Sequence, residues 1–580
     1  SKAQWAAYLA RSGETERALA TYRELVGNVD GKPAAALSRL LVPFFDLLTD
    51  GGVAQDEAAA DLFHASQLLQ RPGLAQTQAV LARELSGGSD EASQLFRKAV
   101  NLRRSVEQLR NRIALIEGQE ETDPMAAEQL LSQRATLQGL EAEQLALQDR
   151  LAQYPRFRAV SDGRVTLEEL QATLGTDEGY LKLATLEGAI FAVFATADSA
   201  RAYRLDIDPE ALEEEVDALR ATIAYVKEGQ TLTFPFDIER SRPLYRSLFD
   251  PVDDQFASLR HLVFEPDGAM LRLPANLLVR DDDSVDRYIE RITQGGDEYD
   301  FTGTNWLGRA VRISTAVSPS AFRDARNAPR SSAQHEYIGF GENTPLTEAR
   351  GTTGTRSALA GGADCLWAPS IWDYPIRADE LYTAARSLGA AGAEERILTG
   401  DRFTDTAVSA MKDLDEYRIL HFATHGLVTA PQPECPPRPA LLTSFGDAQS
   451  DGLLSFAEIF DLEIDADLVI LSACDTAGAA TLGASLEAGV AGGGFALDGL
   501  VRAFVGAGGR TVIASHWPVP DDYDATTRLV DGFFAADRGA ELAEAMRRSQ
   551  QALMDDSDTS HPFYWAAFAI VGDGAAPLHK

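Results

Sequence analysis

Six short apolar runs in the last 250 residues constrain this chain most: EYIGFGE (336–342), ERILTG (395–400), YRILHFAT (417–424), DLVILSA (467–473), RTVIASH (510–516) and WAAFAIVG (565–572). Near-continuous apolar strands alternating with helical stretches suit a mostly parallel sheet covered by helices on both faces. Sheets of this kind bind ligands beyond the carboxyl ends of their strands. Two of those ends carry reactive side chains. The third run leads into Thr424-His425-Gly426, and the fourth into Ser472-Ala473-Cys474-Asp475-Thr476.

Upstream, β-rich runs recur at 185–196, 261–268 and 309–318, with a charged helix, PEALEEEVDALRATIAYVK, among them. They define an α/β unit over residues 155–330, and the segment 320–334 reads as a linker into a second unit over 331–580. Residues 89–154 read as an antiparallel helical hairpin turning near 118–124. Val106, Leu109, Ile113 and Ile116 form one narrow apolar stripe, and Leu130, Leu137, Leu140, Leu147 and Leu151 form the other. Such a stripe packs within the chain or recruits a partner. Residues 1–88 read as all-helical. Their opening, with Trp5, Tyr8, Leu9, Ala18, Leu19 and Tyr22 around Ser12-Gly13, resembles a tetratricopeptide repeat, a unit that needs neighbours to cover its faces.

A chain of 580 residues is too long for one core, and at ~150 residues per domain it divides into about three or four units. Its 53 Lys and Arg against 88 Asp and Glu leave a net charge of −35, which repels phosphate backbones and argues against direct nucleic-acid binding. Cys365, Cys435 and Cys474 are far apart without a CxxC, so neither a disulfide framework nor a zinc ribbon is expected, and a reducing compartment fits. No run approaches the ~20 apolar residues that span a bilayer, so no membrane partner is expected. Ser1-Lys2 opens abruptly inside a helical pattern, as though an upstream segment had been removed.

A thiol becomes a strong nucleophile when a neighbouring imidazole accepts its proton. If the third and fourth strands adjoin, His425 and Cys474 stand together at the sheet rim, and the backbone N–H groups of Gly426 and Cys474 can receive an oxyanion. Side-chain chemistry alone leaves a second reading open, a small buried cysteine and a satisfied core histidine. Other patterns are set aside. His421 and His425 lie along a strand, where four residues span ~13 Å, too far for one metal. The glycines of 489–499 lack the GK[ST] of a phosphate loop. Cys435 sits in the Pro-rich stretch PQPECPPRP and is assigned no chemistry.

The stretches RILHFATHGLV, DGLLSFAEIFDLEIDADLVILSACDTAG, GLVRAFVGAGGRTVIASHWPV and HPFYWAAFAIVGDG closely resemble the CHAT family, caspase-like domains associated with tetratricopeptide repeats in bacteria. The resemblance spreads over roughly 235–575 and is strongest from 417 onward. It implies a caspase-like α/β fold behind an all-α tetratricopeptide-like and helical-hairpin region, and kinship with caspases, separases and gingipains. Carried across position by position, it implies His425 as general base and acid and Cys474 as nucleophile. It places Trp517 where related peptidases build an aromatic wall of the substrate pocket, with core packing as the alternative. Asp475, beside the nucleophile, either favours a basic side chain at the cleavage position or is structural. In separases an inactive caspase-like unit precedes the active one, and residues 155–330 are expected to be either a similar unit or the N-terminal half of the CHAT region. Two features depart from the common pattern: the insertion ATLGASLEAGVAGGGFALDGL after the nucleophile, and His516 where an apolar residue is expected. The implied function is a cysteine endopeptidase of the bacterial cytoplasm, without metal or cofactor, that cleaves a protein or peptide. The helical region is expected to receive an activating protein. The alternative is an inert caspase-like scaffold or protein-binding module.

Overall fold

The computed structural model of the chain describes residues 2–27, 34–69, 164–227, 230–256, 258–346, 369–389, 394–427, 439–447, 449–472, 494–517 and 522–579, the positions 367 and 392, and scattered positions between 94 and 150. Its first half holds strands β1 (Glu178–Leu186), β2 (Ala189–Thr196), β3 (Ala200–Arg204), β4 (Tyr225–Lys227), β5 (Gln230–Leu232), β6 (His261–Glu265) and β7 (Arg312–Thr315). The second half holds β8 (His335–Gly341), β9 (Ile397–Thr399), β10 (Tyr417–Ala423), β11 (Gly426–Leu427), β12 (Ala440–Leu442), β13 (Leu453–Ser455), β14 (Leu468–Ser472), β15 (Thr511–Ser515) and β16 (Phe568–Val571).

Eleven of these strands form one sheet, in the order β3-β2-β1-β6-β7-β16-β15-β14-β10-β8-β9. Pairing is parallel except within β1-β2-β3 and between β15 and β16. The two halves are therefore one structure, joined where β16 runs beside β7 with Val571 opposite Thr315. Alternate side chains of each strand feed opposite layers, as the two-residue period of a strand requires. One layer spans both halves and takes Leu181, Ile190, Phe264, Ile419, Ile470 and Ile513. On the other face, Phe340, Leu420, Phe422, Val469 and Val512 pack a core under the second half. Tyr180, Phe191 and Val263 pack another under the first.

Four N-terminal helices, α1 (Lys2–Arg11), α2 (Thr15–Gly27), α3 (Ala34–Thr49) and α4 (Gln55–Ser66), cover that last core. Phe45 of α3 meets Phe191 of β2 edge to face at 5.3 Å, and full burial of each such ring contributes about 1.5–3 kcal/mol. Leu9, Ala18, Leu19 and Tyr22 are buried as expected, but Trp5 and Tyr8 are not. They are 49% and 53% exposed and stack on one another, while Ala3, Ala6 and Leu9 are the side chains that α1 buries.

Between 94 and 150, Leu109 and Ile113 pack against Leu130, and Lys98 pairs with Glu143 at 2.8 Å, the matching expected of two antiparallel helices. Leu95, Leu102 and Leu147 join the second-half core, so this stripe is used inside the chain. The turn placed at 118–124 lies outside the described residues.

Three boundaries need correction. The run 185–196 is not one segment: Glu187-Gly188 forms a tight turn, Gly188 taking φ 76°, between a β1 that starts at Glu178 and β2. The segment 320–334 is not merely a linker, because Pro319–Asn327 is a helix capped by Ser318, whose side chain accepts from the Ala321 N–H. The charged helix ends at Ile223, and its last residues form β4.

Candidate active site

Strands β14, β10 and β8 are consecutive and parallel, so their carboxyl ends share one rim. Gly341 ends β8, and a Cβ there would collide with the Ala423 carbonyl oxygen of β10. β10 and β14 are in register up to Ala423 opposite Ser472, and the Thr424 N–H still reaches the Ser472 carbonyl at 3.3 Å. Beyond that point the β10 chain leaves the large sheet and enters the three-stranded sheet β11-β12-β13. His425 occupies the bend.

The His425 backbone carbonyl accepts from the Leu442 N–H at 2.9 Å, and the Thr424 hydroxyl donates to the Leu442 carbonyl at 2.6 Å. His425 and Leu442 are thus a hydrogen-bonded pair. Gly426 and Leu441, the next pair, are of the other kind, with the Gly426 N–H directed away from β12. The His425 ring is 8% exposed, and its Nε2 donates to the Tyr374 carbonyl at 2.6 Å. Since a carbonyl only accepts, the hydrogen of the neutral ring is on Nε2 and the lone pair is on Nδ1. Burial lowers the pKa of His425 below the ordinary histidine value, and the Tyr374 carbonyl offsets part of that shift.

Beneath this rim His421, fully buried, is a core histidine. Its Nδ1 lies 3.1 Å from the Tyr337 hydroxyl and its Nε2 faces Glu380 at 3.5 Å. Among the described residues no group of His, Cys, Asp and Glu is placed to hold a metal ion. No described helix is long and apolar enough to cross a membrane.

Of the other residues singled out from the sequence, Cys474, Asp475, Cys365 and Cys435 lie outside the described residues, as does the segment after Cys474 up to residue 493. Trp517 is buried in the layer that spans both halves, and its Nε1 donates to the Phe563 carbonyl at 3.0 Å. His516 is held neutral, its pKa lowered to about 3 by burial with Arg220 nearby. It lines a mostly apolar cavity of about 80 Å³ between β6, β7 and β16 and the helix Leu542–Met554. The Tyr374 carbonyl and Glu380 escaped notice in the sequence. A main-chain acceptor 51 residues from its histidine carries no side-chain signal.

Residues 239–573 match the CHAT domain family, a span that covers the join between the two halves of the sheet and every strand of the rim. The chain belongs to the CHAT domain family. This CHAT protein is also similar to tetratricopeptide repeat protein 28 of Homo sapiens, at 26% identity over 238 residues, 36% of this chain and 9% of the relative. The Mus musculus protein of the same name matches to the same extent. The CHAT chain thus spans about a tenth of the length of these curated relatives. Among solved structures it is similar to a chain of the Saccharomyces cerevisiae separase-securin complex. The TM-score is 0.34 at 9% identity, covering 99% of this chain and 47% of that one.

Proposed function

We propose that this CHAT protein is a cysteine endopeptidase in which Cys474 is the nucleophile and His425 the general base and acid. One observation carries the reading. The His425 ring, at the end of a strand registered with β14, has its Nε2 hydrogen committed to the Tyr374 carbonyl, which leaves Nδ1 as the basic nitrogen. His425 lies two residues past Ala423, and Cys474 two residues past its partner Ser472, so the sequence offsets match across neighbouring parallel strands. A neutral imidazole of lowered pKa is in the right state to take a thiol proton near neutral pH.

In the first step the Cys474 sulfur attacks the scissile carbonyl carbon as its proton passes to His425. The carbonyl oxygen takes the negative charge and is received by the N–H groups of Gly426 and Cys474. The ladder geometry supports Gly426, whose N–H is not spent on β12. His425 then protonates the leaving amine, and water, deprotonated by the same ring, releases the acyl group and restores the thiol. Asp475 is assigned to the substrate pocket, where it selects a basic side chain before the cut. The helical N-terminal region, stacked on the β1–β3 face, is assigned to a protein partner that activates or delivers the substrate.

A peptide-library cleavage profile with the Cys474→Ala and His425→Ala variants as controls tests this. Cleavage disappears in both while the circular dichroism spectrum is unchanged. Undiminished cleavage by Cys474→Ala ends the proposal and leaves a caspase-like scaffold.

A further inference from the structure

The segment Tyr374 to Glu380, which runs into the first turn of the helix Asp379–Leu388, is tied to three consecutive strand ends of the rim. At the end of β8, the Glu342 carboxylate accepts from the Ala378 N–H at 3.0 Å. Glu342 itself takes the left-handed φ of 48°, a conformation that costs free energy in a non-glycine residue and persists only where its surroundings fix it. At the end of β10, the Tyr374 carbonyl holds the His425 ring. At the end of β14, the Glu380 carboxylate accepts from the Ser472 hydroxyl at 3.1 Å.

Glu380 is 5% exposed, and its environment is unusual. Oε2 receives Ser472, whereas Oε1 and the facing His421 Nε2, 3.5 Å apart, each lack a hydrogen bond. The Tyr337 hydroxyl lies 3.2 Å from the Leu381 carbonyl, which can only accept, so its oxygen is left to accept from His421 Nδ1. A buried carboxylate and a buried imidazole left this way in a strand core call for an explanation, because each costs stability that an apolar pair would not.

We infer that Glu380 is a positioning residue for the thiol–imidazole pair. Resting on the peptidase reading above, it fixes the β14 end that leads to Cys474 while its own segment fixes the His425 ring, so one rigid strap sets the spacing of nucleophile and base. Glu380 reaches the reacting atoms only through Ser472 and the Tyr374 carbonyl.

Iodoacetamide alkylation of Cys474, followed by mass spectrometry against pH in the full chain, tests this without requiring a substrate. Glu380→Ala and Ser472→Ala each slow alkylation at neutral pH on the order of tenfold, as displacements well under ~1 Å suffice to do. The double variant is no slower than either single variant, because both remove one contact. Glu380→Gln, whose amide oxygen still accepts from Ser472 and whose NH₂ can donate to His421, restores most of the rate. Ser472→Ala removes only a hydroxyl and retains the fold. If the wild-type thiol is activated yet Ser472→Ala and Glu380→Ala leave its rate and pH profile unchanged, or their losses multiply, the inference fails while the peptidase reading stands. If the wild-type Cys474 reacts no faster than an unperturbed thiol, both fail.

Discussion

His425 owes its readiness to two opposed effects that its neighbours set separately. Burial disfavours the imidazolium and the Tyr374 carbonyl favours it, with burial the larger. In a Cys474→Ala variant, where no thiolate can hold the proton on the ring, the His425 NMR titration has its midpoint below the ordinary ~6.5; a midpoint above 7 contradicts the description. The two residues proposed for catalysis stood out in the sequence because a histidine and a cysteine follow the ends of apolar strands. What fixes them did not. The Tyr374 carbonyl belongs to a segment with no periodic pattern, and Glu380 reads as an ordinary acidic residue in a helix first turn until the fold sets it against Ser472 and His421.

Elements of the first half are tied across strands by buried polar groups. His261 of β6 joins Glu178 of β1 at 2.8 Å through Nδ1 and Ser314 of β7 at 2.9 Å through Nε2, and all three side chains are buried. The arrangement has the order of a catalytic triad but sits at the amino end of β1 and β6, closed by Gly574, so it acts as a cross-strand tie. Arg326 extends it, pairing with Glu178 and with Asp573 just after β16, and so ties the helix Pro319–Asn327 and the strand that joins the halves. Burial alone would raise the Glu178 carboxyl, but the hydrogen bonds from His261 and Arg326 outweigh it and hold the group far below the carboxylate range. Glu178→Gln therefore costs about 3 kcal/mol, read from the urea midpoint at unchanged slope, because it leaves the Arg326 charge half-compensated. A loss within 0.5 kcal/mol, the range of an ordinary surface change, contradicts this. The same chemistry hid these elements. Glu178 and Lys182, the latter paired with Glu265 at 2.5 Å, interrupt the apolar run of β1. The helix Pro319–Asn327 buries only Pro319 and Phe322. Its Ser-Pro start was the one available signal, and it reads as easily as a turn. In the second half of the large sheet Arg418 and His421 interrupt β10 too, yet Ile419, Leu420 and Phe422 keep that run apolar; five of the six strands read there end within two residues of the reading, and β16 begins three residues later than read.

Across the whole molecule, one sheet joins both halves, so acid should undo them together. His516 and His561 are buried and neutral, their pKa values lowered to about 3 and about 4, in both cases chiefly by burial. Because these values lie below the ordinary ~6.5, the unfolded chain takes up protons first. Stability is intact above that pH and is lost as pH falls toward 4, by about 1.4 kcal/mol per unit for each histidine. Thermal denaturation followed between pH 7.5 and 4.5 gives one transition whose midpoint falls below pH 6.5; a flat midpoint contradicts the assignment. If a thiol and an imidazole at adjoining strand ends work as a pair, a peptide bearing a thiol-directed electrophile reports on both at once. Mass spectrometry of the labelled chain finds the adduct on Cys474 and not on Cys365 or Cys435, and His425→Ala abolishes it. Equal labelling of all three cysteines, or a Cys474 adduct that forms as fast without His425, contradicts the account.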